Sequence, residues 1–426
     1  MEAAREQSFN HPGCTVHVIE TEKYKTNTVI IKLKAPLERE TITMRALLPH
    51  VLQAGTENAP SATAFRSALD DLYGATFFAD SAKKGDGHVL TFTIEVANET
   101  FLHGESDLFD QALSVMSDVL FRPFLKEGVF PEKTVMQEKR SLQQRIRSIY
   151  DDKTRYASMK LVEEMYKDDP YALSAGGILE DVEPITSAAL YDYYRKTLAG
   201  DTIDIFVIGD VKAAEAAAKI EAHFPFEKRT AFFQKKSAST QVTDVRVIHE
   251  TQQINQGKLT IGCRTSVTYA DPQFAALQVF NGVFGGFAHS KLFMNVREKE
   301  SLAYYAASRL DSHKGFLMML AGIDQKNYDK TVKIMNEQLD DMKEGRITDL
   351  EMDQTKALLK NQLKESSDTA RGMVELLYHN IAAGVDRPIE TLIEEIDAVT
   401  KEETAAAAKT VVVDTVYFLS GKEERE

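Results

Sequence analysis

Apolar residues recur along this chain with two different spacings. In some segments they alternate with polar residues, as in half-buried strands, and the clearest are residues 28–35 (TVIIKLKA) and 88–96 (HVLTFTIEV). In others they recur every three to four residues, which predicts helices that bury one face, as in residues 44–54 and 62–72. Because this alternation of apolar and polar residues is typical of half-buried antiparallel strands, the strands and helices of the first half predict an α+β fold. The same criteria predict further strands at residues 15–21 and 203–208 and a helix at 211–223.

A break in this pattern divides the chain. Residues 226–243 lack periodicity and are rich in Lys and small polar residues, which predicts a linker. The interleaving of strands and helices restarts after it, with predicted strands at residues 258–263 and 315–323. At 426 residues the chain is also too long for one ordinary core. We therefore predict two related α+β domains, 1–225 and 244–426.

The predicted helix within residues 41–56 (TITMRALLPHVLQAGT) fits the register of the inverted zinc motif H-x-x-E-H but lacks its chemistry. In that motif two His bind one Zn²⁺ and the Glu acts as general base. Here Ala46 has no donor atom, Pro49 has no carboxylate, and His50 alone cannot bind zinc, which needs three or four protein ligands. Pro49 also costs about 3 kcal/mol inside a helix unless the helix bends or ends there. Taken alone, one His on an apolar helix indicates a hydrogen-bonded core residue.

Further segments relate this helix to known proteins. Residues 50–56 (HVLQAGT) are similar to H-M-L-F-x-G-T, and residues 69–75 (LDDLYGA) to L-x-x-L-G-G-x. Residues 290–305 (SKLFMNVREKESLAYY) are similar to S-R-L-F-x-x-x-R-E-x-x-G-L-A-Y, the most specific of these motifs. Together they resemble the M16 (pitrilysin-like, inverzincin) peptidase family, in particular its bacterial half-length members and the mitochondrial processing peptidase. The resemblance implies two related domains, each an antiparallel sheet with packed helices, which form one half of an M16-type clamp.

The resemblance also identifies the position of the distal zinc ligand. Residues 138–146 (EKRSLQQRI) are similar to the family's E-K-x-V-V-x-x-E-I, and the Glu that binds zinc is replaced by Arg145. A cation at this position repels Zn²⁺. Three of the four required groups are then missing, at Ala46, Pro49 and Arg145. We therefore expect no zinc and no other cofactor on this chain, and zinc only in a partner chain.

In the second half, the resemblance assigns substrate-binding roles to Arg297 and Tyr304. The family uses this Arg and Tyr to bind the peptide backbone beside the scissile bond. A guanidinium and a phenol can both donate to a peptide carbonyl, and to the oxyanion that forms from it, without reading side-chain identity. Ser301 replaces the usual Gly of the motif, so the shape of this loop is left open. The alternative from the residues alone is a surface Arg at a helix end and a half-buried Tyr on a strand.

Composition excludes some other classes of protein. The chain has 65 acidic and 51 basic residues and therefore a net charge of −14. Because nucleic-acid binding needs clustered Lys and Arg, we expect no nucleic-acid partner. Its two cysteines, Cys14 and Cys263, lie far apart and indicate reduced thiols of a cytoplasmic protein. The first residues do not resemble a secretory signal, and no apolar stretch is long enough to span a bilayer. No other pair of His has the i, i+4 spacing of a zinc-binding helix, so no second zinc motif is expected. There is also no G-x-S-x-G motif to indicate a serine nucleophile.

These observations predict a non-catalytic member of the M16 family. The favoured hypothesis is a subunit that contributes Arg297 and Tyr304 to an unfolded peptide substrate beside a zinc-bearing M16 partner chain, as a heterodimer. A homodimer is left open. The alternative is a stand-alone peptide-binding or assembly pseudoenzyme without any role in hydrolysis. Backbone-binding groups favour the first hypothesis, because a scaffold does not need them.

Overall fold

The computed structural model of the chain describes residues 6–102, 107–227, 242 and 244–421. They form two compact units, which consist of Met1–Ser148 with Leu173–Lys236, and of Ile149–Ala172 with Ser237–Glu426. The predicted linker, residues 226–243, lies almost entirely outside the described residues. Within the described part of the chain, no helix is long and apolar enough to cross a membrane.

The secondary structure alternates along the chain as the sequence pattern predicts. The strands are β1 (Glu6–His11), β2 (Cys14–Glu20), β3 (Thr26–Pro36), β4 (Thr76–Lys84), β5 (Gly87–Ala97), β6 (Thr202–Gly209), β7 (Arg246–Gln252), β8 (Gly257–Arg264), β9 (Ala303–Asp311), β10 (Phe316–Ile323) and β11 (Val412–Gly421). The α-helices are α1 (Ile42–Leu52), α2 (Ala62–Asp71), α3 (Leu108–Phe121), α4 (Glu132–Asp151), α5 (Lys153–Met165), α6 (Leu179–Val182), α7 (Ser187–Gly200), α8 (Ala213–His223), α9 (Phe274–Asn281), α10 (Tyr328–Lys343), α11 (Asp349–Ser367), α12 (Ala370–Ala383), α13 (Ile389–Ala398) and α14 (Lys401–Lys409).

The first unit is built on a six-stranded sheet in the order β1-β2-β6-β3-β5-β4. Helices α1, α3 and α8 pack on it, and side chains such as Leu47, Leu113 and Phe92 are fully buried between these helices and the strands. Strand β6 inserts between β2 and β3, which run in opposite directions, so it is parallel to β2 and antiparallel to β3. The expectation of an antiparallel sheet is therefore corrected to a mixed sheet with one parallel pair.

The second unit repeats this arrangement with five strands in the order β7-β11-β8-β10-β9. Here β11 inserts between β7 and β8 and is parallel to β7, so this sheet is also mixed. Helices α9, α10 and α14 cover one face, on which Leu317, Met319 and Ala321 of β10 are fully buried. The predicted α+β class, with two sheets and packed helices, is confirmed.

The other face of the second sheet is covered by residues that the sequence pattern assigned to the first domain. Helix α5 lies within Ile149–Ala172, which belongs to the second unit although the expected first domain was 1–225. Its residues Ala157, Leu161 and Met165 pack on an apolar strip of β10 and β11 that includes Phe316 and Tyr417. This strip would otherwise expose large apolar side chains to water, so its burial stabilises the second unit.

Candidate functional site

Helix α1, which contains the degenerate zinc motif, is anchored by a buried charge. Arg45 is 1% exposed and pairs with Asp201 at 2.5 Å. It also donates hydrogen bonds to the carbonyl oxygens of Leu33 (2.7 Å) and His88 (3.1 Å). A buried guanidinium is tolerated only when its donors are satisfied in this way. Sequence reasoning missed this network, although a lone charge in the apolar run TITMRALL was a signal that it needed a buried partner.

The three motif positions on α1 have different environments. Ala46 is 2% exposed and its methyl group packs in the core of the first unit. Pro49 is also buried, and the helix continues through it to Leu52. His50 is half-buried at the end of the helix. Only His50 offers a donor atom, because a methyl group and a pyrrolidine ring cannot bind a metal.

The structure brings His50 and Arg145 within electrostatic reach of each other, as the predicted register requires. Burial and, to a smaller extent, the positive charge of Arg145 together lower the pKa of His50 to about 4, against the opposing charge of Asp80. Burial also lowers the pKa of Arg145, against the charges of Glu138 and Asp80. For Glu138, burial raises the pKa while Arg145 opposes the shift. His50 is therefore neutral at pH 7 and lies in the field of a guanidinium that remains charged.

These residues do not fit a zinc ion. A metal at this place would have His50 as its single protein ligand on α1 and a permanent cation where the family has a carboxylate. Asp80 and Glu138 carry the negative charges that face Arg145. Among the described residues, no group of three or more His, Cys, Asp and Glu is arranged to bind a metal.

In the second unit, Arg297 lies on an unusual helix. Residues Gly282–Gly286 and Phe293–Lys299 are both π-helical, with one residue more per hydrogen-bonded turn than an α-helix. The first of these segments follows α9 directly, so its glycines continue that helix and do not form a turn. Gly285 is required there, since a Cβ would lie 2.6 Å from the backbone nitrogen of Ser308 on β9. Such π-helical turns often occur at functional sites.

The side chain of Arg297 is accessible and only loosely fixed. Its guanidinium stacks over the ring of Phe293 at 4.6 Å from the ring centre. Its Nε atom lies 3.7 Å from a carboxylate oxygen of Glu298, and the side chain is 43% exposed. A planar cation that stacks on an aromatic ring keeps its donors in one plane and available to an external acceptor.

Tyr304 follows where the π-helical segment passes into strand β9. It is 75% exposed, the most exposed of the large apolar and aromatic side chains in the described residues. The connection is closed by a hydrogen bond from the Leu302 amide to the Val296 carbonyl at 3.0 Å. Ser301 within it has a φ of +52°, the left-handed conformation that favours Gly. The loop thus adopts a shape suited to the Gly of the family motif, although Ser occupies the position.

Comparisons with known proteins agree with these motifs. A family described as "Peptidase M16 inactive domain" matches residues 184–359. The chain is 46% identical, over 424 residues and 99% of both proteins, to the "Probable inactive metalloprotease YmfF" of Bacillus subtilis (strain 168). A conserved protein from Enterococcus faecalis V583 has a similar crystal structure, with a TM-score of 0.93 and 35% identity over 99% of this chain and 100% of that one. A "peptidase M16 inactive domain" from Pseudomonas fluorescens has the same fold, with a TM-score of 0.81, 19% identity and 99% of each chain covered.

Proposed function

Because the chain belongs to the M16 peptidase family, we propose that it is the non-catalytic subunit of a two-chain zinc peptidase of that family. The resemblance found in the sequence is confirmed by the relative that spans the whole chain. The family description "inactive" and the relative's name "probable inactive metalloprotease" both agree with a chain that does not hydrolyse peptides by itself. In this proposal, the partner chain supplies the zinc and its general base, and the complex works in the cytoplasm on unfolded peptides.

One contrast between the two units supports the proposal most. The zinc-motif positions of the first unit present a methyl group, a proline and a half-buried neutral His beside Arg145. The substrate-binding positions of the second unit, by contrast, hold Arg297 and Tyr304 with both side chains exposed. A chain with donors for a peptide backbone but no metal ligands is suited to bind a substrate that another chain cleaves.

The donor chemistry of this pair explains what it would contribute. Arg297 carries a permanent positive charge and several N–H donors, and Tyr304 carries one O–H donor. Both can donate to the carbonyl of a bound peptide, and the charged donor gains strength if that carbonyl becomes an oxyanion during attack by water. Neither group recognises the identity of a side chain, which suits a peptidase with broad substrate choice.

The position of Tyr304 adds a second way to bind a peptide. Strand β9 lies at the edge of its sheet and pairs only with β10 among the described strands. The other side of an edge strand presents unpaired backbone N–H and C=O groups, to which an extended peptide can add as a further strand. Tyr304 stands at the start of this edge, so a peptide bound along β9 would pass its hydroxyl.

The proposal is tested by reconstitution. The purified chain is mixed with each zinc-bearing M16 chain of similar length encoded in the same genome, and complex formation is measured by size-exclusion chromatography with light scattering. Cleavage of an unstructured peptide is followed by mass spectrometry for each chain alone and for the mixture. We expect a heteromeric complex whose activity exceeds that of either chain alone. Full activity of a zinc-bearing chain without this subunit would contradict the proposal.

The same purified chains also test the alternative, which is a stand-alone peptide-binding pseudoenzyme. It predicts that the isolated chain binds a fluorescently labelled peptide in an anisotropy titration, and that no zinc-bearing chain changes the fate of that peptide. Strand β4, which contains Asp80 near His50, is exposed at the edge of the first sheet. An extended peptide can add to such an edge as a further strand, and this feature favours the alternative.

A further inference from the structure

The guanidinium of Arg297 is held loosely, so its place depends on the backbone that carries it. It stacks on Phe293 at 4.6 Å from the ring centre, and its Nε atom lies 3.7 Å from a carboxylate oxygen of Glu298. Both neighbours belong to the same π-helical segment as Arg297, Phe293–Lys299. A shift of this segment would therefore move Arg297 together with the groups that touch it.

The side chain of Asn295 joins this π-helical segment to the α-helical turn before it. The chain is α-helical at Lys291, and the π-helical geometry begins two residues later. The Nδ2 atom of Asn295 donates to the carbonyl oxygen of Lys291 at 3.0 Å. The carbonyl oxygen of Asn295 accepts in turn from the Glu300 amide at 3.3 Å, just after the end of the segment. Asn295 is thus bonded to the chain on both sides of the π-helical segment.

The same amide group fixes the segment to helix α10. Its Nδ2 atom also donates to Oε1 of Gln338 at 2.7 Å, and Gln338 is 8% exposed. Because an amide N–H₂ group carries two donors, both hydrogen bonds of Asn295 can form at once. A second contact with α10 is the ion pair of Glu300 with Lys330 at 2.7 Å. This ion pair is exposed and therefore contributes little, so the amide pair is the main link to α10.

We propose that Asn295 is a positioning residue for Arg297, which it places through its hydrogen bonds to the Lys291 carbonyl and to Gln338. Loss of these bonds would free the π-helical segment to shift against α10, and a displacement of about 1 Å in a substrate-binding group can lower turnover by about 10²-fold. Asn295 occupies an unspecified position of the motif S-R-L-F-x-x-x-R-E, so the motif gives it no role. The inference rests on the proposed role of Arg297 in substrate binding.

A double-mutant cycle in the reconstituted complex tests this role. Cleavage of fluorescein-labelled β-casein, an unfolded polypeptide, gives kcat and KM for Asn295→Leu, for Arg297→Ala and for both together. We expect Asn295→Leu to lower kcat by about ten- to a hundredfold and to change KM by less than about threefold. It should have no further effect on the Arg297→Ala complex, because a residue that acts through Arg297 then has nothing to position. Equal losses in both backgrounds would mean a general structural role and would overturn the proposal.

The Arg297→Ala complex separates failure of this inference from failure of the proposed function. If Arg297→Ala lowers turnover and Asn295→Leu does not, the role of Arg297 stands and only that of Asn295 is wrong. If the Arg297→Ala complex has full turnover, both are wrong, because no charged donor needs to be positioned.

A spectroscopic measurement on the chain alone tests the positioning without a partner. The NMR signal of the Arg297 Nε–Hε group, assigned by its loss in Arg297→Lys, is sensitive to the ring on which the guanidinium stacks. We expect it to shift or broaden in Asn295→Leu. Gln338→Leu, which leaves the sequence of the π-helical segment unchanged, should have the same effect. An unchanged signal in both variants would overturn the proposal.

A matched control removes an amide elsewhere in the second unit. Asn361 on α11 is exposed, and its Nδ2 atom donates to Glu365 at 2.8 Å. Asn361→Leu makes the same chemical change as Asn295→Leu, so it should leave the Arg297 signal in place and change kcat by less than about twofold. Circular dichroism establishes that each variant is folded. Losses of kcat as large in Asn361→Leu as in Asn295→Leu would contradict a specific role of Asn295.

Discussion

Restoring a zinc site to this chain should require a change at Arg145 as well as in helix α1. The substitutions Ala46→His and Pro49→Glu would complete the inverted motif with His50. Arg145 would remain, and its charge already contributes to the low pKa of His50, about 4. A guanidinium that disfavours one proton on this imidazole also disfavours a divalent cation bound to it.

The size of this effect follows from Coulomb's law. Two unit charges 4 Å apart interact by about 4 kcal/mol at an effective dielectric constant of about 20, so Zn²⁺ at roughly 6 Å from a guanidinium would be repelled by about 5 kcal/mol. Arg145 is partly exposed, and solvent screening reduces this to about 2–3 kcal/mol. Repulsion alone should then weaken zinc binding by roughly 30- to 150-fold.

Three variants distinguish the repulsion of zinc by Arg145 from the absence of a zinc ligand at position 145. Each carries the two α1 substitutions, with Arg, Ala or Glu at position 145, and zinc affinity is measured by competition with a chromophoric chelator. We expect Arg145→Ala to bind zinc roughly 30- to 150-fold more tightly than the Arg145 protein, and Arg145→Glu to bind more tightly still. Circular dichroism is needed because Ala46 is buried and a larger side chain strains the core. Equal affinity with Arg and with Glu at position 145 would refute the assignment of the distal ligand position.

Further predictions concern stability and are measured by urea unfolding. Arg45→Met should destabilise the chain by about 3–5 kcal/mol, because it removes the buried cation that pairs with the Asp201 carboxylate, and adding Asp201→Leu should recover part of the loss. A double variant less stable than the single would contradict this. Ser301→Gly should leave stability unchanged or raise it by up to about 1 kcal/mol, since φ is +52° there, whereas Ser301→Val should lower it. Because the pKa of His50 is about 4 when folded and its ordinary value is 6.5, the unfolded chain binds more protons between these values, and stability should fall as pH falls from 6.5 to 4. His50→Gln should remove that part of the pH dependence, and identical profiles for the two proteins would contradict the burial of His50.

The sequence predicted buried strands well and exposed edge strands poorly. Residues 28–35, 88–96 and 203–208 all lie in central strands of the first sheet, where apolar side chains are selected by burial. The missed strands β1, β4 and β7 all lie at sheet edges. Many residues of these three strands are exposed to solvent. They therefore contain too few apolar residues to show a clear alternation of apolar and polar positions.

Helix α5 shows that the local sequence pattern does not determine the domain to which a helix belongs. Its apolar spacing indicates a helix, but periodicity does not say which sheet the helix covers. A signal was present in β10, whose unbroken apolar run FLMMLAGI requires cover on both faces. The π-helical geometry around Arg297 could not be predicted from the sequence either, because it depends on hydrogen bonds and on the close approach of Gly285 to β9.

For the degenerate zinc motif, the sequence predicted that Arg145 lies near His50, but it did not predict which residues surround the two. The register that places Arg145 opposite His50 came from motif spacing, and the two residues do interact electrostatically. The buried pair of Arg45 with Asp201 and the charges of Asp80 and Glu138 depend on contacts between residues distant in the chain. Such contacts leave no periodic signal, so only the structure identifies them.

If this chain binds the substrate for a zinc-bearing partner, Arg297→Ala should impair peptide cleavage by the reconstituted complex, and this cleavage is the most direct measurement. Loss of one charged donor to a developing oxyanion should lower turnover by about 10²- to 10³-fold, and Tyr304→Phe should have a smaller effect. Lys299→Ala, which removes a neighbouring exposed cation from the same π-helical segment, is the matched control and should leave turnover nearly unchanged. All three complexes should assemble normally. Full turnover by the Arg297→Ala complex would mean that Arg297 does not bind the substrate and that this chain is only a scaffold.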